Sequence, residues 1–480
     1  MNIKVRFPPS PTGPMHIGTA RAMLFNYLFA KRNKGQIVFR SEDTDRERSE
    51  EAYEKEIMTG LKWLGLDWDD GPFRQSERYE IYERYFEKLK ESGAIYPCYC
   101  NAEEMDAERA EQKEKKLAPG YGGRCRDLSA ERIAVFETEG RQPVWRFRVP
   151  DTEISFTDLV RGDIKEQGKH IKDFVVRKAD GQFLYHFVVV VDDIEMGISH
   201  VIRGEDHISN TSKHILLFKA FGADLPAFAH LPLLLNADKS KMSKRDDSGR
   251  PMTLERLKAD GYLPAAVVNY LAALGWNPGD GDTREFFSMD DLTTEFSLER
   301  VQKSGAIFDL ERLQFINAHY LNELPKAELA ELVRPHCDFP IEDDAFFLRC
   351  LELAGDRLKL PSEAPDQLRM FFIEPDVDPA LYPHKKMKVE LPDALKALEF
   401  SLPILEELDE ENWNETSLQE AFIPAIAAAE MKNGQVLWPL RVALTGEKFS
   451  PGTFEVAAIL GKTRSIQRIT KELDSMQNSQ

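Results

Sequence analysis

The sequence predicts an α/β domain followed by an all-α one. Three observations carry this: strand, helix and strand patterns fill residues 3–39, apolar runs recur between 184 and 235, and no strong strand signal follows residue 252. Ile3–Phe7 reads as the first strand, emptying into the turn-rich run Pro8-Pro9-Ser10-Pro11-Thr12-Gly13-Pro14. A helix follows, with Leu24/Leu28 and Phe25/Phe29 paired at i,i+4, and ends near Gly35. Ile37-Val38-Phe39 is the second strand and leads into Glu42-Asp43-Thr44-Asp45. Strand, helix, strand is the βαβ unit of a nucleotide-binding sheet.

From Ser49 to Gly93 the pattern is helical. Residues 94–183 lose that regularity, carry a charged helix at Ala107–Lys116 and mixed strands, and read as an insertion. Leu184–Val191 is a near-continuous apolar run suited to a strand buried on both faces. A short strand at His200–Ile202 precedes a helix with Asn210 as N-cap and Gly222 beyond its end. Leu231–Leu235 is a further buried strand, running into Asp238-Lys239-Ser240-Lys241-Met242-Ser243-Lys244-Arg245. Helical patterns then recur to the end, with the acidic stretch Phe339–Asp344 as a possible joint.

The chain's 480 residues allow two to four domains. No stretch approaches the ~20 apolar residues of a membrane helix, and the N-terminus does not read as a signal peptide, so the expected setting is cytoplasmic. Five cysteines do not make a disulfide framework. The net charge of −19 argues against a surface coated for nonspecific nucleic-acid binding. A large RNA partner remains compatible with it, because binding depends on local basic patches.

Two motifs carry chemistry. His16-Ile17-Gly18-Thr19 opens a helix directly after a strand, where free backbone N–H groups and the helix dipole favour a phosphate. Gly13 and Gly18 admit a ligand close to the backbone, and His16 adds a donor for charge developing on a phosphoryl group. The alternative is a Pro/Gly-rich turn with a surface histidine. Lys241-Met242-Ser243-Lys244-Arg245 places three cations and a hydroxyl at the edge where doubly wound sheets bind ligands. It suits a triphosphate clamp; the alternative is a solvated basic loop.

Together the two motifs resemble the paired signatures of class I aminoacyl-tRNA synthetases. Thr19 stands where many of these enzymes have His, a departure common in the glutamyl branch. Arg6 to Gly13, Arg40 to Asp45, Tyr185, and Val201-Ile202-Arg203-Gly204-Glu205-Asp206-His207 look like successive glutamyl-tRNA synthetase blocks. Similarity continues through Pro439 to Gly446 and Gly461 to Ile466. Pro8 stands where alanine is usual in the family and Ser41 where isoleucine is usual, and both flank the amino-acid pocket.

The resemblance implies a Rossmann-type catalytic domain in two halves, 1–93 and 184–251, split by an acceptor-binding subdomain at 94–183. It also implies helical stem-contact and anticodon-binding domains at 252–325 and 326–480. The catalytic groups implied are His16, Thr19, Lys241 and Lys244. Gly13, His16, Gly18, Ser243 and Lys244 would hold ATP with Mg²⁺. Arg6 and Arg203 would handle the carboxylates of L-glutamate, Glu42 and Ser10 its α-amino end, and Tyr185 would donate its hydroxyl. For each of these the plain alternative is a surface or core residue. The partners implied are tRNA(Glu), glutamate and ATP, with a monomer expected. Whether tRNA(Gln) is also charged would be set in the helical half.

Cys98-Tyr99-Cys100 and Cys125-Arg126-Asp127 resemble the zinc-bearing insertion of part of the family. Three cysteines with Asp127, or with Tyr121, would make a closed structural Zn²⁺ site. Three free thiols are the alternative. Three rivals remain. A short glutamyl-queuosine ligase ends near the catalytic core, a glutaminyl enzyme typically carries β-barrels in its second half, and an inactive paralogue needs no intact His16, Lys241 and Lys244.

Overall fold

The computed structural model describes residues 2–45, 49–117, 120–242, 252–279, 281–355 and 357–478. The chain opens with β1 (Lys4–Phe7), α1 (Ile17–Arg32), β2 (Gln36–Ser41), α2 (Glu51–Trp63), β3 (Asp70–Arg74) and α3 (Tyr79–Glu91). β1, β2 and β3 are parallel neighbours in that order, with Val5 opposite Ile37. β2 is buried from Ile37 to Ser41, as its apolar run requires of a strand covered on both faces. β3 lies where helix alone was expected; Gly71 and Pro72 break any helical pattern there.

The next segment holds β4 (Ile95–Cys98), α4 (Ala102–Glu114), α5 (Ala130–Thr138), β5 (Val144–Phe147), β6 (Glu153–Asp158), β7 (Gly162–Gln167), α6 (Gly168–Ile171) and β8 (Phe174–Arg177). The charged helix starts five residues earlier than expected, because Asn101 and Glu104 form a capping box at its start. β4, β5 and β8 make a separate antiparallel sheet.

Then come α7 (Tyr185–Glu195), β9 (His200–Gly204), α8 (Ile208–Phe221), β10 (Ala227–Leu231) and β11 (Leu234–Leu235). The strand expected at Leu184–Val191 is the helix α7. A short apolar run cannot by itself separate a buried strand from a buried helix. Here Phe187 to Val191 are all buried, so no face alternates and packing overrides the weak helix preference of valine. α8 begins at Ile208, two residues before the expected cap, and ends at Gly222, which takes the left-handed conformation at φ 66°. The run Leu231–Leu235 is divided between β10 and β11 at Pro232, which has no N–H to donate to a ladder.

The second sheet runs β7–β6–β10–β9, and β6 joins β10 in parallel with Phe228 opposite Asp158. At its other edge Ser199 N–H, just before β9, donates to Lys4 O at 2.9 Å. Strands therefore succeed one another outward from β1 in one direction and from β9 in the other. The point where the order reverses is where open α/β sheets bind ligands.

The chain divides into two compact units, 1–259 with 264–313, and 260–263 with 314–480. The second is helical and has its own core, running from Leu321 to Met476. Its helices include Asn433–Thr445, closed by Gly446 at φ 69°, and Lys462–Asn478. Phe339 belongs to this core, so Phe339–Asp344 is a turn inside the helical unit and not a joint. Among the described residues no helix is long and apolar enough to cross a membrane.

Candidate active site

The loop after β1 and the start of α1 form one wall. His16 caps α1, its Nδ1 accepting the Gly18 N–H at 3.2 Å, which leaves the proton of the neutral ring on Nε2. Nothing lies within 4 Å of a Cβ placed on Gly13, so open space remains over it, whereas one on Gly18 would touch His16 at 3.4 Å and Leu234 at 3.8 Å. Thr19 is exposed one residue further on. α1 carries no acidic residue in its first turn to oppose its positive dipole end, but the N–H groups expected to be free are bonded, Ile17 to Met252 O, Gly18 to His16 Nδ1 and Thr19 to His16 O.

Ser243 and Lys244, with the rest of 243–251, lie outside the described residues. The chain on either side of that stretch is anchored. Met242 N–H donates to Leu234 O at 2.9 Å, and Lys241 pairs with Asp206 at 3.3 Å. Beyond it, Leu254 N–H donates to Met15 O at 3.1 Å and Thr253 bridges to His16. Both ends of the basic segment are thus tied beside the sheet's ligand edge, one of them to the start of α1.

The second wall is charged and buried. Arg6 on β1 faces Asp193 at 3.4 Å and donates to Ile202 O at 3.5 Å. Glu42 follows β2, its N–H bonded to Pro9 O at 2.8 Å beside the exposed Ser10. Arg40 holds Glu42 at 3.1 Å and Asp193 at 2.7 Å. Tyr185 begins α7, and its hydroxyl lies 3.4 Å from His207 Nδ1. Burial, and then the Glu42 charge, push the Tyr185 phenol up to about 12, so it stays a donor. Glu42, Arg6 and Arg203 all act electrostatically on Tyr185, so these four sequence-predicted residues converge.

Arg203 is the unusual member. It is 6% exposed, yet its hydrogen-bond partners are neutral: His230 Nε2 at 3.2 Å, His214 Nδ1 at 3.3 Å, Thr211 Oγ1 at 2.8 Å and the His207 carbonyl at 3.3 Å. Burial pushes the imidazoles down, His186 to about 3, His207 to about 4 and His214 well below its ordinary value, so they add no positive charge. Burial also lowers the Arg203 pKa. Asp193 and Glu42 act on it electrostatically, yet among the described residues no carboxylate is hydrogen-bonded to it, an arrangement that suits an incoming carboxylate.

Several functional groups escaped the sequence reading. Asp192 accepts from Gln75, Arg78 and Tyr82 at 2.7 to 2.9 Å, and Asp193 from Arg40. The available signal was two adjacent acids closing an apolar run, since buried carboxylates need cations. His230 and His214 had no local signal.

A family model described as tRNA synthetases class I (E and Q), catalytic domain, matches residues 2–315, and one described as anticodon binding domain matches 328–473. The chain belongs to the class I tRNA synthetases of the E and Q type. Glutamate–tRNA ligase 2 of Thermoanaerobacter pseudethanolicus is 38% identical over 99% of this chain and 98% of its own. The glutamate–tRNA ligase of Carboxydothermus hydrogenoformans is 40% identical over 97% and 99%. A glutamate tRNA ligase of Elizabethkingia meningosepticum, solved in complex with its amino acid, superposes with TM-score 0.88 at 31% identity. It covers 99% of this chain and 100% of that one. Class I synthetases use ATP with Mg²⁺, which fits a helix start flanked by the anchored ends of a basic segment.

This synthetase also gathers Cys98, Cys100 and Cys125, whose sulfurs lie within 4.8 Å of one another, and none is in a disulfide. Cys100 and Cys125 are 3.5 Å apart. Tyr121 OH donates to Cys98 at 3.5 Å and accepts the Cys125 N–H at 2.7 Å. Hydrogen bonds from Cys100, Cys125 and Tyr121 hold the Cys98 thiol far below its ordinary range. Asp127 is not brought into the group: it is 84% exposed and pairs with Arg148 at 2.9 Å.

Proposed function

We propose that this synthetase joins L-glutamate to tRNA(Glu) in two steps. The observation that carries the choice of amino acid is Arg203, buried with no carboxylate hydrogen-bonded to it among the described residues, a partner that the substrate's side chain supplies. Glutamine offers only a neutral amide there. Arg6 and Glu42 face the α-carboxylate and α-amino ends, with Ser10 beside them, and Tyr185 donates its hydroxyl. The glutamate α-carboxylate attacks the α-phosphate of Mg-ATP, pyrophosphate departs, and the terminal ribose of the tRNA, at its 2′-hydroxyl, attacks the mixed anhydride. His16 and the α1 N-terminus, with Gly13, Gly18 and Thr19, receive the phosphates. Lys241, Ser243 and Lys244 meet the charge moving onto pyrophosphate. Positioning and charge stabilisation suffice, without a covalent enzyme intermediate.

Residues 94–183 take the acceptor end, 252–325 the stem, and 326–480 the anticodon. The match of 328–473 to an anticodon binding domain supports the last of these. Charging of purified tRNA(Glu) with labelled glutamate and ATP tests the whole reading. Stable glutamyl-tRNA is expected, and its absence in the presence of all three substrates rejects it.

We further propose that Cys98, Cys100 and Cys125 hold one Zn²⁺, with Tyr121 as the fourth ligand. Tetrahedral Zn–S bonds of about 2.3 Å set sulfurs about 3.8 Å apart, in keeping with the spacing here. Zinc would supply structural cross-linking of the segment and no chemistry. Elemental analysis of protein purified without chelator should find about one zinc per chain. Cys98→Ser should lose it and Asp127→Ala should keep it. A metal-free parent protein rejects the site.

A further inference from the structure

Arg203 is itself aimed by groups that no step above employs. β9 and β10 run parallel, with Arg203 opposite His230. His230 Nε2 accepts the Arg203 Nε–H at 3.2 Å and lies 3.1 Å from Thr211 Oγ1, and its Nδ1 faces Asp158 Oδ2 at 2.6 Å. An ionised carboxylate only accepts, so the ring proton sits on Nδ1 and the Nε2 lone pair points at Arg203. Burial pushes the His230 pKa down and keeps the ring neutral. The other Asp158 oxygen, Oδ1, accepts three backbone N–H groups: Val160 at 2.9 Å, Arg161 at 2.8 Å and His230 at 3.2 Å. Asp158 and His230 are 1% and 0% exposed. Asp158 closes β6, in the segment between β4 and α7, whereas Arg203 and His230 belong to β9 and β10.

We propose that Asp158 and His230 are positioning residues for the amino acid: Asp158 fixes the His230 tautomer, and His230 thereby fixes how Arg203 presents its remaining Nη1–H to the side-chain carboxylate. This deepens, and rests on, the reading of the chain as a glutamate ligase. An isosteric change separates orientation from packing. In Asp158→Asn the three backbone N–H groups still require an oxygen at Oδ1, so the new NH₂ takes the place of Oδ2. It donates to Nδ1 and the ring proton moves to Nε2; that N–H can turn to Thr211 Oγ1 but no longer accepts from Arg203 Nε–H, so two donors face each other and Arg203 loses its aim.

The test uses full-length protein in pyrophosphate exchange with tRNA present. Asp158→Asn should raise the glutamate KM at least about tenfold, while kcat at saturating glutamate and the ATP KM stay within about threefold. His230→Met should raise the glutamate KM as well, and adding Asp158→Asn to it should change that KM less than about threefold, because no tautomer is left to flip. Imidazole ¹⁵N shifts should place the His230 proton on Nδ1 in the parent and on Nε2 in Asp158→Asn. An unchanged glutamate KM, parallel losses for glutamate and ATP, or an unchanged tautomer overturns the inference. If the parent does not activate glutamate, the functional reading falls instead, and the ¹⁵N measurement still judges the relay.

Discussion

Lys244→Ala slows glutamyl-adenylate formation by roughly 10²–10³-fold, about 3–4 kcal/mol of transition-state stabilisation. Pyrophosphate gains negative charge only as the P–O bond breaks, so a cation that meets it acts on the transition state more than on bound ATP. The segment carrying Lys244 is anchored on one side at Met242 and on the other at Thr253 and Leu254, beside the helix start that would receive the phosphates. The variant should therefore fold normally and keep its glutamate KM within a few-fold, the loss appearing in kcat. Pyrophosphate exchange near the parent rate would remove the segment from the chemistry.

Arg203→Gln lowers kcat/KM for glutamate by roughly 10²–10³-fold, the size expected when a buried carboxylate loses a charge-assisted partner worth about 3–4 kcal/mol. The amide of glutamine fills much of the same space and can still donate to the His230 Nε2 lone pair and accept from the Thr211 hydroxyl, so packing changes little. It cannot neutralise a carboxylate. Steady-state kinetics checks this, and a kcat/KM within a few-fold of the parent would show that Arg203 does not face the substrate's charge. Loss of the guanidinium also removes what Asp158 and His230 orient, so Asp158→Asn should add little to Arg203→Gln.

What could be read from sequence follows from how local each feature is. His16, Gly18 and Thr19 stand together at one helix start, so their role depends on a strand–helix junction that the apolar pattern already reveals. Cys98, Cys100 and Cys125 are conspicuous by type, and the structure brings their sulfurs together. The choice between Tyr121 and Asp127 was not legible, because it depends on how the chain turns after Tyr121 and on Arg148 drawing Asp127 outward. The helix α7 was misread because Phe187 to Val191 are buried all round and show no period. That error hid Asp192 and Asp193, which fall in its last turn and meet Arg40 and Arg78. The relay to Arg203 was invisible for a different reason. Asp158 and His230 are 72 residues apart and meet only because β6 joins β10 in the sheet.

In the proposed function the buried Arg203, with no carboxylate hydrogen-bonded to it among the described residues, selects glutamate. Charging of purified tRNA(Glu) with glutamate and glutamine side by side tests it most directly. The expected kcat/KM for glutamate is at least about 10³-fold above that for glutamine, as befits a buried cation that only a carboxylate satisfies. Equal or preferred use of glutamine would contradict it.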